Sequence, residues 1–261
     1  MKFCIFGAGA IGGYLAVELA LAGHEVCAIA RGAQLAAIRE NGLRLLIDGQ
    51  EKHARFPVSD DPSDFGPQDF VLCALKAHQA AESADSFIPL LGPDTAVVTA
   101  MNGVPWWYFY QHGGPFEGHV LQSVDPGGRQ WNLIGPERAI GCVVDPACEV
   151  IEPGVIEHRE FKRFTIGEPD RSISKRVQEL SAVFTDAGFE APVRDDVRWN
   201  IWLKRDRDYP MSINLINKQM EWMVPAPPAS QCAKMQFPRT AHERNHPMRI
   251  STVGVDLAKN I

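Results

Sequence analysis

Six residues near the start, Gly7-Ala8-Gly9-Ala10-Ile11-Gly12, space three glycines as G-x-G-x-x-G. Each glycine answers a mechanical need. The first allows a tight turn out of a strand. The second removes a side chain where a pyrophosphate would approach the backbone, and the third lets a helix sit against the strand. A helix that begins there offers free N–H groups and the positive end of its dipole to phosphate. The chemistry implied is the binding of a dinucleotide through main-chain donors. Arg31 bears on which dinucleotide. A chain that binds NAD usually places Asp or Glu at the end of the second strand, where it accepts from the ribose 2′-OH. Here that strand ends Ala28-Ile29-Ala30-Arg31-Gly32, with no acid. A guanidinium grips a 2′-phosphate through paired charged hydrogen bonds and stacks on adenine. The pattern points to NADP(H), with a surface arginine as the plain alternative.

Two more polar residues fall where open α/β sheets bind ligands, at the carboxyl ends of strands. Leu75-Lys76-Ala77 closes an apolar run that starts at Asp69, and Met101-Asn102-Gly103-Val104-Pro105 closes the next. Lys76 could approach the cofactor. Asn102 could hydrogen-bond both the cofactor and a carbonyl substrate. The plain alternatives are a surface lysine and a turn-forming Asn-Gly pair.

The elements that must hold these residues follow from periodicity. Lys2 to Phe6 is a short apolar strand, residues 11–22 form a helix stopped by Gly23, and residues 25–30 form a second strand. Strand, helix and strand within about 30 residues make one βαβ unit. Alternation continues with a helix over 34–41, an extended run over 43–47, strands over 69–75 and 95–100, and a helix over 79–91 between them. This is the signature of a doubly wound parallel sheet. Residues 103–137 read as loops with a short helix. Strands over 139–144, 154–158 and 163–166 suggest an antiparallel finish to that sheet. Residues 172–188 form an amphipathic helix with Val177, Leu180, Val183 and Phe184 inward. A further helix over 195–204 is capped by Asp195 or Asp196.

The bulk numbers suit a soluble globular chain of 261 residues, 45% hydrophobic and 22% charged. A net charge of −6 disfavours a general nucleic-acid or anionic-membrane binder. No run approaches the ~18 apolar residues of a membrane span, and no secretory leader is visible. The six scattered cysteines read as reduced core residues of a cytoplasmic protein. Cys142 and Cys148 flank a turn and could pair only in an oxidising compartment.

The combination of Gly7–Gly12, Arg31, Leu75-Lys76, Asn102-Gly103-Val104-Pro105 and Ile201-Trp202-Leu203-Lys204 resembles the ketopantoate reductase family over about residues 1–204. Trp106-Trp107-Tyr108-Phe109 and Asp125-Pro126-Gly127-Gly128 resemble one bacterial branch of it. The resemblance implies NADPH-dependent reduction of a 2-keto acid to a 2-hydroxy acid in pantothenate biosynthesis. It assigns NADPH binding to Gly7, Ala8, Gly9, Ala10, Ile11, Gly12 and Arg31, with Lys76 nearby and Ala147 as a further contact. Asn102 would touch the nicotinamide ribose and the substrate. Lys204 would donate the proton, where its own setting suggests only a helix-surface lysine beside Trp202. No metal is implied, and a homodimer is one of the assemblies left open.

The fold expected is α/β, a Rossmann-type doubly wound parallel sheet with an incomplete, mostly helical carboxyl-terminal domain. Residues 1–170 would form the NADP-binding domain, 171–204 the start of a helical substrate and dimerisation domain, and 205–261 an atypical, poorly ordered tail. The family's two substrate-gripping asparagines, four and eight residues after the lysine, are replaced by Asp208 and Ser212, with Pro210 between them. The family's later serine and glutamate have no convincing counterparts, and its members usually run to about 300 residues or more. Residues 248–260 resemble the opening strand of an insertion-element transposase, which suggests that a mobile element interrupted the gene; Asp256 is assigned no metal there. Two other readings therefore stand beside the reductase: an inactive NADP(H)-binding remnant of such an enzyme, and a related NADP-dependent dehydrogenase of another substrate.

Overall fold

The computed structural model describes residues 1–208, with side chains through Lys204. The expectations for Ser212, Pro210, Asp256 and the rest of 209–261 lie outside the described residues, as does the side chain of Asp208.

The chain opens with β1 (Lys2–Phe6), α1 (Ala10–Leu21), β2 (Glu25–Ile29) and α2 (Gly32–Asn41). Three strands follow, β3 (Leu43–Ile47), β4 (Gln50–Ala54) and β5 (Val58–Ser59). Next come β6 (Phe70–Cys73), α3 (Ala77–Glu82), β7 (Ala96–Ala100) and α4 (Arg129–Leu133). The described part ends with β8 (Ala139–Val144), β9 (Ala147–Glu152), β10 (Val155–Glu160), β11 (Phe164–Gly167), α5 (Lys175–Asp186) and α6 (Val197–Asp208).

Seven strands form the main sheet in the order β11-β8-β7-β6-β1-β2-β5. The six from β8 to β5 are parallel, and β11 alone runs antiparallel, against β8. The direction of winding reverses at β1, between β6 and β2, which is where such sheets open a ligand crevice. The central strands are buried on both faces, so they read as unbroken apolar runs such as Ile5-Phe6 and Val71-Leu72-Cys73. The Rossmann-type expectation holds.

A second sheet was not anticipated. It has four strands in the order β4-β3-β10-β9. Two runs assigned above to the main sheet, residues 43–47 and 154–158, belong here instead, as β3 and β10. Burial along β3 alternates, with Leu43, Leu45 and Ile47 inside and Arg44 and Leu46 partly exposed. That is the pattern of a sheet covered on one face, not of a fully enclosed parallel strand. The cover is α1, which lies between the two sheets and is buried from Gly12 through Leu19. Sheet on both sides explains why this helix is apolar nearly all round. Its one buried acid, Glu18, is met by the Lys52 ammonium at 2.8 Å to both oxygens.

The helix expected over 79–91 is broken. α3 stops at Glu82, and a 3-10 stretch (Ala84–Leu90) with Pro89 inside completes the connection. α5 forms as its periodicity predicts, with Ser174 capping Val177 N–H and Val177, Leu180, Val183 and Phe184 buried. They join one core with Phe164 and Ile166 of β11. For α6, Asp196 is the cap, accepting from Trp199 N–H at 3.1 Å.

Candidate active site

The glycine turn connects β1 to α1 and is tied to the end of β2. Gly7 N–H and Ala8 N–H both donate to the Ile29 carbonyl, at 3.1 Å each. This brings Arg31, two residues on, beside the turn. Gly7 takes φ +103°, a conformation side chains rarely adopt, and a Cβ there would meet Leu75 at 2.7 Å. A Cβ on Gly12 would lie 2.0 Å from the Gly7 carbonyl oxygen, so strand and helix could not close. Gly9 differs: a Cβ there would point into open space. It caps α1 without a side-chain acceptor. No carbonyl of the described residues accepts from the backbone N–H groups of Gly9, Ala10, Ile11 or Gly12. Unpaired first-turn donors and an open approach at Gly9 make an anion cradle. The residues present therefore fit a dinucleotide pyrophosphate.

One support of this cradle was invisible in the sequence. Gln34, on α2, donates to the Ala8 carbonyl at 2.8 Å and accepts from Gly154 N–H at 2.9 Å. It fastens the turn to the β9–β10 hairpin of the second sheet. Arg31 itself is exposed at the amino terminus of α2 and has no ion-pair partner among the described residues.

Lys76 is exposed at the start of α3, where its N–H donates to Gln79 Oε1. Leu75 packs against Gly7, so the end of β6 adjoins the glycine turn. Asn102 follows β7, and its Oδ1 accepts from Val144 N–H at 3.2 Å. Lys204, on α6, donates from Nζ to the carbonyl of the same Val144. The last residue of β8 thus holds Asn102 and Lys204 through its two backbone groups, although 102 residues separate them in the chain. Ala147 begins β9, exposed, two residues beyond Asp145. From Arg31 at β2 to Lys204 at β8 the site crosses four strand steps, about 19 Å at ~4.8 Å each.

α6 is held in place by a knot centred on Arg198, 1% exposed. Its guanidinium donates to the carbonyls of Tyr108 at 2.7 Å, Tyr110 at 2.5 Å and Pro169. It also lies against the rings of Trp107 and Tyr108. Burial lowers its pKa to about 10, so it stays a cation at neutral pH. One turn on, Trp202 Nε1–H donates to the Tyr108 hydroxyl at 3.0 Å. The aromatic run Trp106-Trp107-Tyr108-Phe109 is therefore core that joins the loop after Asn102 to the helix of Lys204. Asp125, fully buried, accepts from Gln130 and Trp131 N–H at 2.8 and 2.9 Å and fixes the start of α4. Arg198 was not singled out in the sequence, and Asp125 was noticed only within its motif and not as a cap, because their partners are distant backbone groups or a hidden helix end.

The five described cysteines are all free, Cys142 and Cys148 included. Burial pushes Cys73 and Cys148 up to about 12, which keeps them protonated.

An open main-chain cradle after β1, a cation just beyond β2, and Asn102 and Lys204 meeting at the end of β8 all lie on a Rossmann-type α/β fold. The chain belongs to the ketopantoate reductase PanE/ApbA family, whose profile matches residues 3–171. It is 54% identical over 205 residues to a 2-dehydropantoate 2-reductase of Mesorhizobium japonicum, covering 78% of this chain and 63% of that one. A 2-dehydropantoate 2-reductase of Pyrococcus horikoshii is 26% identical over 78% of this chain and 60% of its own. Among solved structures, a candidate ketopantoate reductase of Ralstonia solanacearum superposes with a TM-score of 0.75. It is 42% identical over 77% of this chain and 63% of that one. The chain spans about three fifths of the length of the curated relatives it matches. No helix among the described residues is long and apolar enough to cross a membrane.

Proposed function

We propose that this chain binds NADPH and reduces a 2-keto acid, 2-dehydropantoate, to the 2-hydroxy acid pantoate, in the cytoplasm, as a step of pantothenate biosynthesis. The observation that carries the reading is the meeting of Asn102 and Lys204 on Val144, at the sheet edge that also bears the glycine turn. In the reading, the amides of Gly9–Gly12 take the pyrophosphate and Arg31 takes the 2′-phosphate, with Lys76 and Ala147 flanking the dinucleotide. The bound dinucleotide would supply the hydride that adds to the keto carbon. As the carbonyl π pair moves to oxygen, the Lys204 ammonium stabilises the negative charge and gives it a proton. Lys204 then regains a proton from water. Such a donor contributes typically ~10²–10⁴-fold. Asn102 orients the carbonyl by hydrogen bonding.

The test is oxidation of NADPH by the purified chain with 2-dehydropantoate, followed at 340 nm, beside direct titration of NADPH and NADH. The reading expects turnover and tighter binding of NADPH. NADPH binding without turnover would leave a nucleotide-binding chain only. Turnover with another 2-keto acid alone would move the substrate within the same chemistry.

A further inference from the structure

Lys204 does not end in open solvent. Its side chain is 13% exposed, and Nζ stands 3.6 Å from Asp145 Oδ1 while it donates to the Val144 carbonyl. The Asp145 side chain is 7% exposed. Its second oxygen, Oδ2, accepts from Arg163 Nε at 2.8 Å. The backbone closes the same pair, because Asp145 N–H donates to the Arg163 carbonyl at 3.0 Å. The Arg163 backbone is paired in turn with that of Glu190 through a β-bridge. A buried carboxylate, held at one oxygen and at its own backbone, thus presents the other oxygen to the ammonium.

Lysine has four rotatable side-chain bonds and a compact charge, so alone it points poorly. We propose that Asp145 is a positioning residue, braced by Arg163, that fixes the Lys204 ammonium beside Asn102; this rests on the reading of Lys204 as proton donor. The charged groups that meet here are Lys204 from α6, Asp145 from the end of β8 and Arg163 from the segment entering β11. Cys142 also faces Lys204 and Asp145, but burial holds its thiol protonated. The three charges sum to plus one, so the brace leaves the edge attractive to an anionic keto acid. Asp145 takes no proton in the reaction; it acts only through the lysine.

The test measures Lys204 itself. Acylation of the full chain by acetic anhydride across pH, followed by mass spectrometry of the Lys204 peptide, reports how much free amine is present. Asp145→Asn is expected to raise Lys204 acylation at neutral pH about tenfold, the equivalent of one pKa unit. Asp145→Glu is expected to stay within about threefold of the parent, and Arg163→Gln to fall between the two variants. If Asp145→Asn changes thermal stability but leaves the acylation profile unmoved, the proposal is overturned. It is equally overturned if Glu behaves like Asn. Should the Asn variant not fold, the Glu and Gln variants carry the same readout. Where the parent turns over keto acid, Asp145→Asn should lower kcat about tenfold with KM for NADPH unchanged. A parent without turnover would refute the proposed activity while the acylation profile still decides the role of Asp145.

Discussion

The two ends of this site are built in opposite ways. At β1 and β2 the working groups are mostly backbone amides, supplied by a turn of six consecutive residues and left open to an incoming anion, with the exposed Arg31 side chain beside them. At β7 and β8 they are side chains, drawn from positions 102, 145 and 204 and bound tightly to protein groups. The first end tolerates little change of backbone and takes its one long-range support from Gln34, which ties the turn to the β9–β10 hairpin. The second accepts many local sequences but needs α6 placed correctly. Mutation should separate the two.

The largest effect is expected at the second end. Lys204→Ala should cut turnover of the keto acid by about 10²–10⁴-fold with NADPH affinity unchanged. Steady-state kinetics beside cofactor titration measures both, and a variant with intact kcat would remove Lys204 from the chemistry. Next is the knot behind it. Arg198→Met leaves three carbonyls, two of them buried, without this donor, partly offset by relief of a buried charge, for a net loss of about 2–4 kcal/mol. Denaturant unfolding reads this directly, and a loss below about 0.5 kcal/mol would mean that the knot does not hold α6.

At the first end the glycines should divide. Gly12→Ala puts a Cβ 2.0 Å from a carbonyl and should abolish folding or cost more than about 3 kcal/mol, whereas Gly9→Ala meets no atom. The Gly9 variant should therefore melt like the parent and lose NADPH affinity by calorimetry. Equal behaviour of the two would refute the cradle. Arg31→Ala should weaken NADPH by about tenfold or more and leave NADH unchanged. Loss of both cofactors alike would show that Arg31 acts on the fold rather than on the 2′-phosphate.

The smallest effect lies outside both ends. Partial burial raises the Glu117 carboxyl, but the N–H groups of Gly113, Gln111 and His112 outweigh this and hold its pKa below the ordinary 4.5. The folded value is lower than the unfolded one. Its stabilisation is thus present above the unfolded value and lost as pH falls through the folded one, below about pH 5. Glu117→Gln should flatten that acid limb slightly in unfolding measurements, and an unchanged limb would count against the loop contacts.

Some features were legible because they are mechanical and local. A tight turn, a close strand–helix approach and the lack of an acid after β2 are fixed by residues within about 30 positions. They appear in the sequence as Gly7, Gly9, Gly12 and Arg31. The amphipathic face of α5 was legible for the same reason. The second sheet was not. β3 and β10 pair in parallel across more than 100 residues, and an apolar run such as Leu43–Ile47 carries no mark of which sheet will take it. Lys204 drew notice through family resemblance alone, since its helix shows only a partly apolar stripe.

The sequence by itself determined the glycine turn, the parallel strands that flank it and the cation at their edge, because each depends on backbone geometry over a few neighbouring residues. Only the tertiary structure decided that Val144 would hold Asn102 and Lys204 at once, that Asp145 and Arg163 would brace the lysine, and that Arg198 would pin its helix. Those contacts join side chains to distant backbone groups or to each other, and the ones made by Lys204 and Arg198 exist only after α6 has packed on the aromatic loop. No local pattern records a partner that the chain reaches from 60 or 90 residues away.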